Sequence, residues 1–97
     1  MWILESTDPE CPFTFRMLPG SMKTVGRAPR ADFIVEAALV SRLHCRLTLD
    51  DGGLGVEDLG STNGTWVNGQ KIVRAPLVDG DTLKVGRVEF SVRSAEA

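Results

Sequence analysis

Three short polar clusters in the sequence carry side chains that could bind an anion. They are residues 26–27 (Gly-Arg), 41–44 (Ser-Arg-Leu-His) and 60–65 (Gly-Ser-Thr-Asn-Gly-Thr). Guanidinium groups form charge-assisted hydrogen bonds with a dianionic phosphate, and hydroxyl groups donate to its oxygens without adding charge. Backbone N–H groups in turns can add to both. The residue types therefore indicate an anion site, and its candidate residues are Arg27, Ser41, Arg42 and Thr62.

The third cluster adds a group suited to a peptide. The amide of Asn63 carries both a donor and an acceptor, the pair needed to hold a peptide backbone rather than a particular side chain. All three clusters lie in turns between predicted strands, where side chains are not needed for the core and function tends to collect. Together they indicate an anion site with a peptide-holding neighbour.

The distribution of charge favours a small anionic ligand. The chain has a formal net charge of −2, which argues against binding to nucleic acid. Between residues 11 and 49, however, six basic residues stand against Asp32 and Glu36, so this segment has a local charge of +4. A locally basic face on an acidic protein suits a small anion better than a polyanion.

The composition is that of one globular domain. The 97 residues are 42% hydrophobic and 25% charged, so one compact core is possible and a second is not. No apolar run approaches the roughly 20 residues of a membrane helix, and the first residues do not have the pattern of a signal peptide. We therefore expect a single intracellular domain over residues 1–97 that is monomeric in isolation and does not bind membranes. Residues 94–97 are expected to form a frayed tail.

The cysteines and the acidic turn at residues 79–81 indicate neither a disulfide scaffold nor a metal site. Two cysteines, Cys11 and Cys45, are fewer than a bridge-dependent secreted domain carries. Cys45 occupies an inward position of an alternating run, which predicts a buried free thiol. Asp79 and Asp81 lack the further carboxylates that a metal loop needs. No cofactor or metal is expected.

Short apolar alternations separated by turn residues predict an all-β fold. The clearest alternation covers residues 44–49, and Asn68 with Gly69 is the strongest hairpin signal. The only helix candidate, residues 36–40, is too short to form alone. About ten or eleven short strands predict two packed antiparallel sheets. The predicted strands cover residues 2–5, 13–18, 22–26, 33–35, 44–49, 54–58, 65–67, 70–72, 82–85 and 88–92.

The order of the motifs resembles the signature of the forkhead-associated (FHA) domain family. The motifs are G-R at 26–27, S-R-L-H at 41–44, S-T-N-G-T at 61–65, N-G at 68–69 and D-G-D-T-L-K-V-G at 79–86. The resemblance extends over about residues 24–92, with flanking strands where the family has them. It implies an eleven-stranded β-sandwich that binds phosphothreonine through loops at one end. The implied function is a phosphothreonine-peptide binding module that recognises kinase-phosphorylated protein partners in signalling.

The resemblance also implies a role for each matching residue. Arg27 would contact the phosphate or the neighbouring backbone, and Ser41 and Arg42 would bind the phosphate. Thr62 would line the site, while Asn63 would hold the peptide main chain on either side of the phosphothreonine. The positions that would support the site without touching the ligand are Gly26, His44, Gly64, Asn68 and Gly69.

Two other functions remain open from the residues alone. A hydrolase could use Ser41 as its nucleophile and His44 as its base. Residues three apart on a strand point to opposite faces unless the chain bends, however, and no G-x-S-x-G elbow is present. An FHA-like domain could instead serve phosphate-independent assembly. The strand geometry and the missing elbow favour a binding module and not an enzyme, and because every phosphate-facing position is intact, we predict that this module binds a phosphate.

The residue three positions after the phosphothreonine provides a testable expectation. In the family, its selection often involves loop residues near the serine motif, and Leu39 is the nearest candidate here. Because Leu39 is apolar, a phosphothreonine peptide array should show no strong demand for an acidic residue at that position, and an aliphatic preference instead. Strong selection of aspartate there would contradict the assignment of Leu39.

Overall fold

The computed structural model describes residues 1–9 and 12–95, which form eleven β-strands and no helix. Ten of the strands match predicted runs to within two residues, so the all-β prediction is confirmed. None of the described residues belongs to a helix with the length and hydrophobicity that crossing a membrane requires. The strands are β1 (Trp2–Ser6), β2 (Thr14–Met17), β3 (Met22–Gly26), β4 (Phe33–Ile34), β5 (Cys45–Asp50), β6 (Gly53–Asp58), β7 (Thr65–Val67), β8 (Gln70–Ile72), β9 (Arg74–Leu77), β10 (Thr82–Val85) and β11 (Val88–Ser94).

The strands form two sheets that pack face to face. The six-stranded sheet has the order β2-β1-β11-β10-β7-β8, and the five-stranded sheet has the order β4-β3-β5-β6-β9. One pairing departs from the expected antiparallel arrangement, because β4 runs parallel to β3 over two residues. The chain turns at residues 28–31 and then runs beside the end of β3 in the same direction. The N–H of Val35, just after β4, donates to the carbonyl of Gly26 at 2.8 Å.

Alternating apolar side chains from the two sheets form a single core. In β5, Cys45, Leu47 and Leu49 point inward, and β11 contributes Phe90 from the other sheet. Burial raises the pKa of the Cys45 thiol to about 12, so the thiol is protonated and chemically inert at neutral pH. The prediction of a buried free thiol is confirmed. Cys11 lies outside the described residues.

Two details of the strands differ from the expectation. Strand β9 was missed because its sequence, R-A-P-L, has no alternation and contains Pro76, which cannot donate a ladder hydrogen bond. The structure places β9 at the edge of the five-stranded sheet, where proline is tolerated. The expected frayed tail is also corrected at its start, because Ser94 still pairs with Trp2 and the N–H of Ala95 donates to Met1 at 2.8 Å. The rest of that segment, residues 96–97, lies outside the described residues.

Three connections that carry the polar clusters gather at one end of the sandwich. Between the first and second, the N–H of Arg27 donates to the carbonyl of Ser41 at 3.0 Å. Between the second and third, the N–H of Leu59 donates to the carbonyl of His44 at 3.0 Å. The prediction that these loops lie at one end is confirmed. They are the β3–β4 loop (residues 27–32), the β4–β5 loop (residues 35–44) and the β6–β7 loop (residues 59–64).

Gly26 permits the close approach of two of these loops, and its replacement tests the packing. A Cβ atom at Gly26 would collide with the carbonyl group of Arg42. Gly26→Ala should therefore lower the free energy of unfolding by at least about 2 kcal/mol, as overpacking does, measured by urea denaturation. Gly55→Ala is the matched control, since its Cβ would lie 3.7 Å from the carbonyl oxygen of Ala75, an ordinary contact. Equal stability of the two variants would contradict the close approach at Gly26.

Candidate functional site

The β3–β4 and β4–β5 loops lie side by side where they leave the sheet. This contact fixes the backbone positions from which the side chains of Arg27 and Arg42 extend. Gly26 is buried and leaves room for the backbone of Arg42. Beyond it, the N–H of Arg27 donates to Ser41, and the N–H of Ala28 donates to the carbonyl of Arg42 at 3.1 Å. The backbones of Arg27 and Arg42 are therefore held next to each other.

Both arginines keep charged groups that are not paired within the protein. The Nε–H of Arg27 donates to the carbonyl of Val40 at 3.1 Å, which holds the base of the guanidinium group. Within residues 1–9 and 12–95, the terminal NH2 groups of Arg27 and the whole guanidinium of Arg42 make no hydrogen bond or ion pair. Both side chains are exposed. Two positioned and unpaired guanidinium groups are suited to bind an incoming anion.

Ser41 brings the β6–β7 loop to the arginines. Its hydroxyl oxygen accepts a hydrogen bond from the N–H of Thr62 at 3.1 Å. A hydroxyl carries one donor besides its acceptor lone pairs, so the hydrogen of Ser41 remains available to a ligand. The structure thus places the two predicted hydroxyl residues next to each other, although they are 21 positions apart in the sequence.

His44 lies beneath these loops with no exposed surface. Its Nδ1 accepts a hydrogen bond from the N–H of Ser41 at 3.0 Å, and its Nε2 lies 2.7 Å from the carbonyl oxygen of Gly64. Because Nδ1 is the acceptor, these partners assign the ring hydrogen to Nε2, which donates to Gly64. One buried imidazole therefore joins the β4–β5 loop to the β6–β7 loop.

Asp58, at the end of β6, organises the β6–β7 loop, a role that the motifs did not indicate. One carboxylate oxygen accepts the N–H groups of Gly60 and Ser61 at 3.0 and 3.1 Å, and the other accepts the hydroxyls of Ser61 and Thr65. Burial raises the pKa of Asp58, but the hydrogen bonds from Ser61 and Thr65 outweigh burial and hold the pKa below its usual value. The sequence contained a signal, since aspartate with glycine and serine two and three residues later favours a turn in which the carboxylate accepts backbone N–H groups.

The side chain of Asn63 is oriented by Leu39, the residue expected to select the third residue after the phosphothreonine. Its Nδ2 donates to the carbonyl of Leu39 at 3.1 Å. Leu39 has a φ of 70°, a left-handed conformation that is uncommon for leucine, and its side chain is exposed. Gly86 makes room for this conformation, since a Cβ there would lie 2.5 Å from the carbonyl oxygen of Leu39. In the part of the chain that the structure describes, Oδ1 of Asn63 has no partner, so it can accept a hydrogen bond from a peptide N–H.

Two of the predicted supporting residues lie away from the site. Asn68 and Gly69 form the β7–β8 turn with φ angles of 50° and 83°, at the opposite end of β7 from Gly64. There Asn68 supports the start of β10, because its Oδ1 accepts the N–H of Thr82 at 2.9 Å. These residues shape a turn as expected, but the structure does not bring them to the three loops. Gly64, with a φ of 87°, does lie in the β6–β7 loop.

The three loops border two open pockets that share Arg27 and Pro29 at their boundary. We call the first the arginine pocket; it has a volume of about 760 Å³, and its charged lining residues are Arg27, Arg30 and Arg42. We call the second the hydroxyl pocket; it has a volume of about 710 Å³, and its lining includes Arg27, Leu39, Ser41, Thr62 and Asn63. The five predicted ligand-binding residues thus lie around one boundary. Arg30 is a further cation there that the motifs did not indicate.

Comparison with known proteins identifies the family. The FHA domain model matches residues 23–86, which is more than half of the chain, and the chain belongs to the FHA domain family. An FHA domain from a structural and functional analysis of phosphothreonine-dependent FHA domain interactions superimposes with a TM-score of 0.88 and 31% identity, covering 99% of this chain and 98% of that chain. The FhaA FHA domain, solved in complex with the intracellular domain of Rv3910, superimposes with a TM-score of 0.85 and 32% identity, covering 96% and 100% of the two chains.

Curated bacterial relatives support the same family. The glycogen accumulation regulator GarA of Mycobacterium tuberculosis is 34% identical over 71 residues, which cover 73% of this chain and 44% of GarA. The oxoglutarate dehydrogenase inhibitor of Corynebacterium diphtheriae is 38% identical over 64 residues, which cover 66% of this chain and 45% of the inhibitor. The chain thus spans less than half the length of these relatives.

The bridging role of His44 can be tested by truncation. His44→Ala leaves the part-buried N–H of Ser41 and the buried carbonyl of Gly64 without partners, so it should lower the free energy of unfolding by about 2–4 kcal/mol and weaken ligand binding as well. Thermal melting and calorimetric titration with a phosphothreonine peptide measure the two effects. Arg42→Ala, two residues away and exposed, is the control and should retain the wild-type melting temperature. Wild-type melting of the His44 variant would show that the bridge does not stabilise the loops.

Proposed function

We propose that this domain binds phosphothreonine-containing segments of partner proteins after a kinase has phosphorylated them. The observation that carries the proposal is the unused hydrogen-bonding capacity of five residues around the boundary of the two pockets. These residues are Arg27, Ser41, Arg42, Thr62 and Asn63. The membership of the chain in the FHA domain family supports the same ligand, because FHA domains are among the domains that bind phosphorylated peptides through arginine clusters.

The phosphate is bound by charge-assisted and neutral donors acting together. The terminal NH2 groups of Arg27 and the guanidinium of Arg42 neutralise the dianion, and the hydroxyl of Ser41 donates to one of its oxygens. Thr62 adds a hydroxyl from the facing loop. The Oδ1 of Asn63 accepts a main-chain N–H of the peptide, which holds an extended segment without selecting its side chains.

The preference for threonine over serine is expected to come from the apolar wall of the hydroxyl pocket. Ala37, Ala38 and Val40 contribute to that wall. One methyl group contributes only about 0.8 kcal/mol of transfer free energy, so the γ-methyl must also select the bound rotamer if the discrimination is to be strong.

The position of His44 favours a binding module over a hydrolase. Both ring nitrogens are occupied, Nδ1 by the backbone N–H of Ser41 and Nε2 by the carbonyl of Gly64. Neither nitrogen is placed to accept the hydroxyl proton of Ser41, which a nucleophile–base pair requires. The regulator and the inhibitor among the relatives also support a regulatory binding role.

The proposed partners are phosphoproteins inside the cell, because the ligand is made by a protein kinase. We expect the domain to act as a monomer, with one site for one phosphothreonine. The match to complexes of FHA domains supports a protein or peptide ligand: one is a complex with an intracellular domain, and another is Mycobacterium tuberculosis EmbR in complex with a low affinity phosphopeptide.

Calorimetric titration with a degenerate peptide library in phosphothreonine, phosphoserine and unmodified forms tests the function. The phosphothreonine form should bind with micromolar affinity, about −8 kcal/mol, and the unmodified form should not bind. Arg42→Ala should lose about 1.5–3 kcal/mol of binding free energy as a charge-assisted bond is removed, without loss of thermal stability. Arg93→Ala, an exposed arginine on β11, is the matched control and should bind as wild type does.

Equal binding of all three peptide forms would instead identify a phosphate-independent assembly domain. If Arg42→Ala and Arg93→Ala bound the phosphothreonine form equally well, the proposed contact between Arg42 and the phosphate would be wrong.

A further inference from the structure

The arginine pocket contains one cation that the proposed phosphate contacts do not use. Arg30 lines this pocket together with Arg27 and Arg42, and its side chain is exposed. In residues 1–9 and 12–95, no carboxylate pairs with any of these three arginines, and the ion pairs that do form there involve Glu57 of β6. The pocket therefore has a positive charge that the neighbouring residues do not neutralise.

A tight turn fixes the backbone of Arg30. The N–H of Ala31 donates to the carbonyl of Ala28 at 3.0 Å, with Pro29 at the second position, where turns favour proline. The side chain of Ala31 is buried at 6% exposure and anchors the turn to the sandwich. On its other side, the N–H of Ala28 donates to the carbonyl of Arg42. Arg30 and Arg42 thus begin from backbone positions that are fixed relative to each other.

The positions of the nearby acidic residues leave the arginine pocket more positively charged than the hydroxyl pocket. Asp32 follows the turn, but its carboxylate accepts the N–H of Thr24 at 2.9 Å and the hydroxyl of Thr24 at 3.1 Å, so it is directed toward β3. Glu36 lines the hydroxyl pocket. The charged lining residues of the arginine pocket are three cations, whereas those of the hydroxyl pocket are Arg27 and Glu36.

We propose that the arginine pocket binds a second anionic group of the ligand, a carboxylate or a phosphate on the N-terminal side of the phosphothreonine. This inference rests on the proposed function. The N-terminal side is assigned from the positions of the two pockets. Leu39 lines the hydroxyl pocket, and we expect Leu39 to face the third residue after the phosphothreonine. The residues that precede the phosphothreonine then lie on the other side of Arg27, in the arginine pocket.

Calorimetry with a matched series of phosphothreonine peptides tests this inference. One peptide carries glutamate at the three preceding positions, a second carries glutamine there, a third carries glutamate at the three following positions, and a fourth carries a phosphoserine before the phosphothreonine. The first and fourth should bind about fivefold more tightly than the second, the effect of an exposed charge pair, and the third should show no such gain. The gain should shrink when the salt concentration is raised from 0.05 to about 0.5 M, because exposed charges are screened.

The Arg30→Gln variant tests whether the gain in affinity depends on Arg30. The variant should abolish most of the gain while binding the glutamine peptide to within about twofold of wild type. Arg93→Gln, which removes the same charge from β11 outside the pockets, should keep the full gain.

The outcomes separate this inference from the proposed function. Equal binding of the glutamate, glutamine and phosphoserine peptides, or a gain that survives Arg30→Gln, overturns the second anion site and leaves phosphothreonine recognition intact. A gain for the phosphoserine peptide without one for the glutamate peptide supports the site and restricts it to phosphate. Absence of binding to every phosphothreonine peptide overturns the proposed function and this inference together.

Discussion

The buried imidazole of His44 connects the β4–β5 loop to the β6–β7 loop beyond the point where the pairing of β5 with β6 ends. It accepts the N–H of Ser41 through Nδ1 and donates to the carbonyl of Gly64 through Nε2. An unsatisfied buried polar group costs about 1–3 kcal/mol, so neither loop can move away without leaving a partner unpaired inside the sandwich. The hydrogen bond from Thr62 to the hydroxyl of Ser41 then forms between two loops that are already fixed. The bridge therefore fixes the relative position of the two loops that carry Ser41, Thr62 and Asn63.

The groups that hold the loops are different from the groups that are left for a ligand. Asp58 satisfies backbone N–H groups of the β6–β7 loop, and the Nδ2 of Asn63 holds the carbonyl of Leu39. Among the described residues of the three loops, the groups left without a partner include the terminal groups of Arg27 and Arg42, the hydroxyl hydrogen of Ser41 and the Oδ1 of Asn63, which we propose bind the ligand. A site whose donors are already positioned loses little conformational freedom on binding. A short phosphopeptide with few contacts can therefore reach useful affinity.

The sequence predicted the fold better than it predicted the details of the site. Alternation identified the strands that face the core on one side, but β9 contains Pro76 and lies at an edge that only the assembled sheet defines. The turn motifs predicted the residues that we propose face the ligand, because polar side chains in loops have no role in the core. Asp58 was missed because it ends a regular strand. The left-handed backbone of Leu39 and the inclusion of Arg30 in a pocket depend on contacts between distant segments, which local patterns do not encode.

We expect a preformed rim of three loops to bind the ligand without rearrangement of the sandwich. Amide chemical-shift mapping by NMR during titration with a phosphothreonine peptide tests this expectation most directly. We expect large shifts confined to residues 26–30, 39–44 and 61–64, with the amides of β1, β2 and β11 unchanged and the Nε2–H resonance of His44 retained. Shifts centred on the outer face of either sheet, or spread through the core strands, would contradict this expectation.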